Sequence, residues 1–467
     1  MNIIATKSTK FTNFLTIIFI IGIIVFEILV LKKFGKVEII IGLNGLFFSI
    51  IMFFVSRGSF ANVMLFLYFA SLLLLNNKIH YEFKYELILA SPLALLLFYS
   101  LLNYILSLQS QTRKEVLSKP VLIFVLYFFI MALYGKFQNF NSQFILYESF
   151  HFLLFLSIYL ILYNLKERAD YFFIFSILLI FYLVISLEYI FLGYLISRVR
   201  FVTFQSGFSS IFAGLLLSFF LFRKNVYERM LLISGIVIIL LGIFSTLTRS
   251  LWVTALITFG GVYFAYIIAE NKLTRSKIII LIVISILITA SLMFAIKNMK
   301  PAETIKDNTR SVEQRIESIQ NPTEDHSFLM RVELGWYAIQ KFLQRPIFGW
   351  GLGDFLRYQF LGNPNLKNNY IDNSWLYFLW KGGIIGLSLF VFILYRIIKV
   401  SIFILKNSKN KTVKSIVAGI FGGFVGLVAL ALLSPLFIKY RTNVLIAFFL
   451  AYLEFEYNKL KLKQNLN

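Results

Sequence analysis

The chain has 467 residues, of which 59% are hydrophobic and only 14% charged, with a mean hydropathy of +0.81. No water-soluble globular domain hides that much apolar surface, so lipid must be the main solvent. The formal charge of +23 comes from Lys and Arg set in short loops between hydrophobic runs, which fits orientation by the positive-inside rule and excludes nucleic acid as the expected partner.

Crossing a bilayer takes about 20 mostly apolar residues. The sequence offers about fourteen such runs in order, starting near Phe14, Val37, Phe60, Leu87, Pro120, Phe144, Tyr171, Gly207, Met230, Leu251, Ile278, Trp375, Val413 and Tyr440. Alternating strands of the barrel type are absent. The expected fold class is therefore all-α, a polytopic integral membrane helical bundle of about 12 to 14 transmembrane helices. The first run, Phe14 to Leu31, follows Lys7 and Lys10 and lacks a small-residue cleavage site, so it is expected to be retained.

If the N-terminus is cytoplasmic, the inside loops collect Arg113, Lys114, Lys119, Lys166, Arg168, Arg223, Lys224, Arg229, Lys272, Arg275 and Lys277. Lys399, Lys406, Lys409, Lys411, Lys414, Lys459, Lys461 and Lys463 follow on the same side. The exception is the first connection, which puts Lys32, Lys33 and Lys36 outside. It places both termini in the cytoplasm and divides the chain into an N-terminal transmembrane bundle (1–296), an extracytoplasmic loop with amphipathic helices (297–373) and C-terminal transmembrane helices (374–467).

That loop far exceeds the usual connection, and such loops normally carry function. Asn308 or Thr309 can cap a helix that places Val312, Ile316 and Ile319 on one face. Asp325 can cap a second, in which Phe328, Val332, Trp336, Ile339 and Phe342 or Leu343 recur at helical spacing until Pro346 stops it. Amphipathic helices of this kind lie on the membrane surface or on the mouth of the bundle.

Charge at membrane depth costs at least about 2.5 kcal/mol, so cations near the outer ends of spans call for an explanation. Arg249 stands at the corner before Leu251 and Trp252, Arg331 on the second loop helix, and Arg198 with Arg200 after the seventh span. The planar guanidinium donates paired hydrogen bonds to phosphate, and several together suit a diphosphate; each alone can equally snorkel to lipid headgroups.

After Pro346 the chain places Gly349, Gly351 and Gly353 within five residues, which implies sharp turns or close backbone approach. Asp372, followed by Asn373, sits where the chain re-enters the membrane; it can serve as general base towards a sugar hydroxyl or cap the helix that follows. The chain has no Cys, which removes disulfides and thiolate chemistry, and its three His (His80, His151, His326) lack ligand spacing, so neither metal nor other cofactor is expected.

Taken in order, Thr248-Arg249-Ser250 with Trp252, Arg331 with Trp336, Pro346 through Phe355, Asn373-Ser374, and Gly382-Gly383 with Gly386-Leu387 resemble the O-antigen polymerase and O-antigen ligase superfamily, and look most like a Wzy-type polysaccharide polymerase. Arg200 with the Phe204 to Gly214 region is similar to a looser pattern of the same family.

The resemblance implies a metal-independent glycosyltransferase of the cell membrane, acting on its extracytoplasmic face. Its donor would be an undecaprenyl-diphosphate-linked oligosaccharide, whose repeat units it joins into a surface polysaccharide. By match to the family, Arg249 and Arg331 bind the diphosphate and stabilise it as it leaves; Arg198 and Arg200, the cations after the seventh span, are expected at the same anion site. Trp336, Gly349, Gly351, Gly353 and Asn373 would shape the loop and the substrate, with Asp372 as candidate catalytic base. Family ligases usually carry a histidine where this chain has Asp372. Expected partners are the lipid-linked glycan, the bilayer, and a flippase and chain-length regulator of the same pathway. A ligase that transfers glycan to an acceptor, and a flippase for lipid-linked oligosaccharide, are the alternatives; internal repeats of the kind transporters carry are absent from the sequence.

Overall fold

Apolar runs in lipid become helices because a helix satisfies its own interior backbone N–H and C=O groups where no water can. The computed structural model describes residues 116–164, 171–191, 206–245, 249–270, 326–360, 363–438 and 440–466, all within one compact unit, Leu93–Asn467. The described helices are α1 (Ser118–Phe137), α2 (Ser142–Asn164), α3 (Tyr171–Phe191), α4 (Ser206–Phe222), α5 (Val226–Ser245), α6 (Arg249–Glu270), α7 (His326–Gln344), α8 (Ser374–Asn407), α9 (Lys411–Leu430) and α10 (Tyr440–Leu466). Six of them (α1, α2, α5, α6, α8 and α9) are long and apolar enough to cross a membrane. The protein is an all-α polytopic membrane protein, to which a short antiparallel hairpin of β1 (Leu356–Phe360) and β2 (Asn363–Asn368) is added between α7 and α8.

Nine of the expected spans, from Pro120 through Leu251 and from Trp375 through Tyr440, coincide with α1 to α6 and α8 to α10. Those starting at Phe14, Val37, Phe60, Leu87 and Ile278, and the helix expected after Asn308, lie outside the described residues.

Glycine sets the closest helix contacts. Along α9, Gly419, Gly422, Gly423 and Gly426 meet α4 and α6; a methyl group at Gly422 would stand 2.6 Å from the Val262 nitrogen, and one at Gly426 would collide with the Thr258 hydroxyl. Small residues at such seams let backbones approach and gain dispersion contacts, which substitute for the hydrophobic drive that lipid removes.

Two faces emerge. Ser374 N donates to Ala431 O at 2.8 Å, so α8 begins where α9 ends. Arg396 donates to Val116 O at 3.1 and 3.0 Å, so α8 runs antiparallel to α1 and its start lies beside the α1–α2 turn. On the opposite face the buried Glu454 carboxylate accepts from Val116 N (2.9 Å) and Leu117 N (3.0 Å) and pins the start of α1, while Lys414 Nζ reaches Ala269 O at 2.7 Å. Lys406, Lys409, Lys411 and Lys414 gather on that second face, around the α8–α9 turn.

Candidate functional site

The site is organised by a break in α8. Gly383 adopts φ 61, ψ −163 inside the helix, which detaches the carbonyls of the preceding turn from the N–H groups of the next. Freed backbone groups at membrane depth need partners. The glycine segment after α7 supplies them: Trp350 N donates to Trp380 O (3.0 Å) and Gly351 N to Lys381 O (2.9 Å), while Ile384 N donates to Pro346 O at 2.8 Å. The Tyr127 hydroxyl of α1 donates to Gly382 O at 2.6 Å.

Backbones touch here. A methyl group at Gly383 would lie 2.2 Å from Ile347 O, and one at Gly349 would lie 2.6 Å from Gly383 N. Gly349, Gly351 and Gly353 all take positive φ (74, 88 and 87), so the three glycines expected to turn sharply do so.

A charged network locks this segment. Lys381, fully buried in α8, donates to Glu148 Oε1 (2.8 Å) and Oε2 (3.1 Å) and to Asp354 O (2.5 Å). Glu148 Oε2 also accepts from Gly353 N at 2.7 Å. The Asp354 carboxylate accepts from Lys341 Nζ (3.1 and 3.0 Å) and from Trp380 Nε1 (2.8 Å). Lys341 and Arg345 stand 3.9 and 4.1 Å from the ring centre of Trp350, and Arg345 Nη1 donates to the Tyr134 hydroxyl at 2.6 Å. Every ammonium and carboxylate of this network has an opposite charge as partner, the condition under which such groups persist away from water.

At the rim the candidate pair comes together. Arg331 Nε donates to Asp372 Oδ2 at 3.1 Å, joining α7 to the residue two before α8. The two side chains remain 43% and 37% exposed, so the pair is worth only about 0–1 kcal/mol and can exchange with a ligand. Asn373, not Asp372, caps α8: its side chain accepts from Leu376 N at 3.0 Å. The capping alternative for Asp372 is thereby overturned, and its carboxylate is left for Arg331.

Arg249 is the first residue of α6, which packs against α8 and begins on the same face as the break. Its side chain, like Arg198 and Arg200, lies outside the described residues. The loop helix appears where Phe328 to Leu343 places it, but the expected stripe does not pack on the bundle. Leu334, Gly335 and Ala338 are buried instead, and Trp336 is 59% exposed. Glu148, Lys341, Arg345 and Lys381 escaped the sequence reading, which weighed cations and anions near the outer ends of spans. An ionisable residue inside an apolar run was the available signal, and Glu148 and Lys381 both give it.

Between α1, α2, α8, α9 and α10 lies a small apolar cavity of about 30 Å³, lined among others by Phe124, Phe152, Phe378, Phe390, Phe424 and Ile446.

Residues 234–391 match the family described as O-antigen ligase, a span that holds Arg249, Arg331, the glycine segment, Asp372 and the break in α8. No curated protein matches the chain.

Proposed function

We propose that this chain, which belongs to the O-antigen ligase and polymerase superfamily, is a glycosyltransferase that polymerises undecaprenyl-diphosphate-linked oligosaccharide repeat units on the extracytoplasmic face of the cell membrane, with both termini cytoplasmic. The observation that carries this reading is the 3.1 Å pairing of Arg331 with Asp372 at an exposed rim, which sets a phosphate-binding cation beside a carboxylate able to accept a proton.

In this reaction an acceptor sugar hydroxyl attacks C1 of the donor glycan and its proton passes to Asp372. The bond from C1 to the diphosphate oxygen breaks, and undecaprenyl diphosphate leaves with the electron pair. Arg331, joined by Arg249 from the start of α6, meets the charge that develops on the leaving diphosphate, a role that needs no metal.

The family description favours a second reading, transfer of a finished glycan to a separate acceptor. One experiment decides. Full-length protein in nanodiscs, given only undecaprenyl-diphosphate-linked repeat units, yields a ladder of longer glycans if it polymerises. A ligase leaves glycan length unchanged until an acceptor is added, and a flippase leaves it unchanged throughout.

A further inference from the structure

The glycine segment lies well inside the ends of the helices that surround it. It meets α1 at Met131 (Leu352 N to Met131 O, 3.1 Å), α2 at Glu148 (Gly353 N, 2.7 Å) and α8 at Lys381 (Gly351 N, 2.9 Å). Met131 is six residues before the end of α1 at Phe137, Glu148 six after the start of α2 at Ser142, and Lys381 seven after the start of α8 at Ser374. At 1.5 Å per residue these independent rulers give depths of about 9, 9 and 10 Å.

α8 alone would leave the matter open, since its 34 residues make about 51 Å of helix and its first turns can stand clear of a 30 Å core. α1 removes that freedom. Its 20 residues measure about 30 Å, one crossing with none to spare. Met131 therefore lies within the hydrocarbon, and so does the segment bonded to it.

α7 approaches this depth alongside α8 and in the same direction. Arg331 meets Asp372, Gly335 faces Leu376, and Pro346 O accepts from Ile384 N. Its cations turn to protein partners, while Gln340 and Gln344 stay exposed beside an apolar stripe. Arg331, Lys341 and Arg345 reach protein partners at Asp372, Asp354 and Tyr134. Val332, Trp336 and Leu343 are exposed, and Ile347 and Phe348 (56% and 58% exposed) extend the stripe past the helix end. On water such a stripe would be an association hazard. Here it continues the exposed apolar faces of the spans it touches: Ile384 on α8, bonded to Pro346, and Ile130 and Leu133 on α1.

We infer that His326–Phe355 is a re-entrant segment, in which α7 descends beside α8 with its Val332, Trp336, Leu343, Ile347 and Phe348 stripe against the acyl chains of the bilayer, turns at the glycines and rises into the β1–β2 hairpin. The Glu148–Lys381 and Lys341–Asp354 pairs hold the turn at depth. The occupant of the stripe is membrane lipid. This inference is independent of the reaction proposed above.

The chain has no cysteine, so single cysteines report their own positions. Leu343→Cys and Phe348→Cys, spin-labelled in nanodiscs, are compared with Ile130→Cys on α1 and Lys367→Cys on β2 for collision with oxygen and with a water-soluble nickel chelate. Both test sites should match Ile130, with chelate accessibility several-fold below that of Lys367. Accessibility equal to that of Lys367 at both sites overturns the re-entrant segment. A second readout needs no labelling: lipids brominated on the acyl chain should quench the wild-type protein more than Trp336→Phe, and equal quenching of the two overturns the lipid-facing stripe.

Discussion

Glu148 and Lys381, 233 positions apart in the chain, meet at 2.8 Å with almost no exposure to solvent. Each lies inside an apolar helix where an unpaired charge would not be tolerated, and together they fix α2, the break in α8 and the glycine segment to one another. Removing one partner leaves the other charged and buried, which costs about 3–5 kcal/mol. Glu148→Gln and Lys381→Met should each lower resistance to unfolding in detergent by roughly that amount. The double substitution should recover a large part of the loss, and a double variant as unstable as the sum of the singles would contradict direct pairing.

Backbone contact at the break predicts a contrast among glycines. Gly383→Ala and Gly349→Ala put a methyl group within 2.2 Å of Ile347 O and 2.6 Å of Gly383 N, at positive φ in both cases. Gly260, within α6, has open space around the same position. Yield of folded protein by size-exclusion chromatography should collapse for the first two, whereas Gly260→Ala should match or exceed wild type, with a gain of about 0.5–1 kcal/mol from helix propensity. Equal tolerance at all three would show that the chains do not touch there.

Asn373 and Asp372 are adjacent and do different work. Asn373→Ala removes the bond to Leu376 N and should cost about 1 kcal/mol, the usual penalty for a lost cap. Asp372→Asn keeps the shape and loses the charge, with a stability change within about 0–1 kcal/mol because the Arg331 pair is exposed. Thermal unfolding of the two variants checks this; a larger loss at Asp372 would reassign it to structure.

The helices were legible because lipid leaves so few options. Pro120, Phe144, Tyr171 and Trp375 mark helix starts within two residues of where α1, α2, α3 and α8 begin. Gly349, Gly351 and Gly353 announced their turns through the one residue type that bears positive φ without strain. Asp372 and Arg331 could be named as candidates, but their contact joins positions 41 apart, which no local pattern encodes.

Other features depended on tertiary contact. The five residues of β1, Leu356 to Phe360, alternate apolar and polar in the manner of a half-buried strand and were passed over, whereas β2, Asn363–Asn368, carries no such pattern. The amphipathic period of α7 was plain while the direction of its faces was not, because the same stripe serves a helix buried on protein or one facing lipid. Lys381 and Glu148 were visible as charges in apolar runs; that they neutralise each other follows only once α2 and the break in α8 are packed around Asp354.

If Arg331 holds the diphosphate while Asp372 takes the proton, binding and turnover come apart in full-length protein in nanodiscs. Affinity for undecaprenyl diphosphate and the rate of glycan extension are measured for wild type, Arg331→Ala and Asp372→Asn. Arg331→Ala should bind the diphosphate more weakly and lose extension. Asp372→Asn should bind it at least as well as wild type while extension falls by about 10² to 10⁴. Wild-type extension by Asp372→Asn, or wild-type affinity in Arg331→Ala, would strip these residues of the roles given to them.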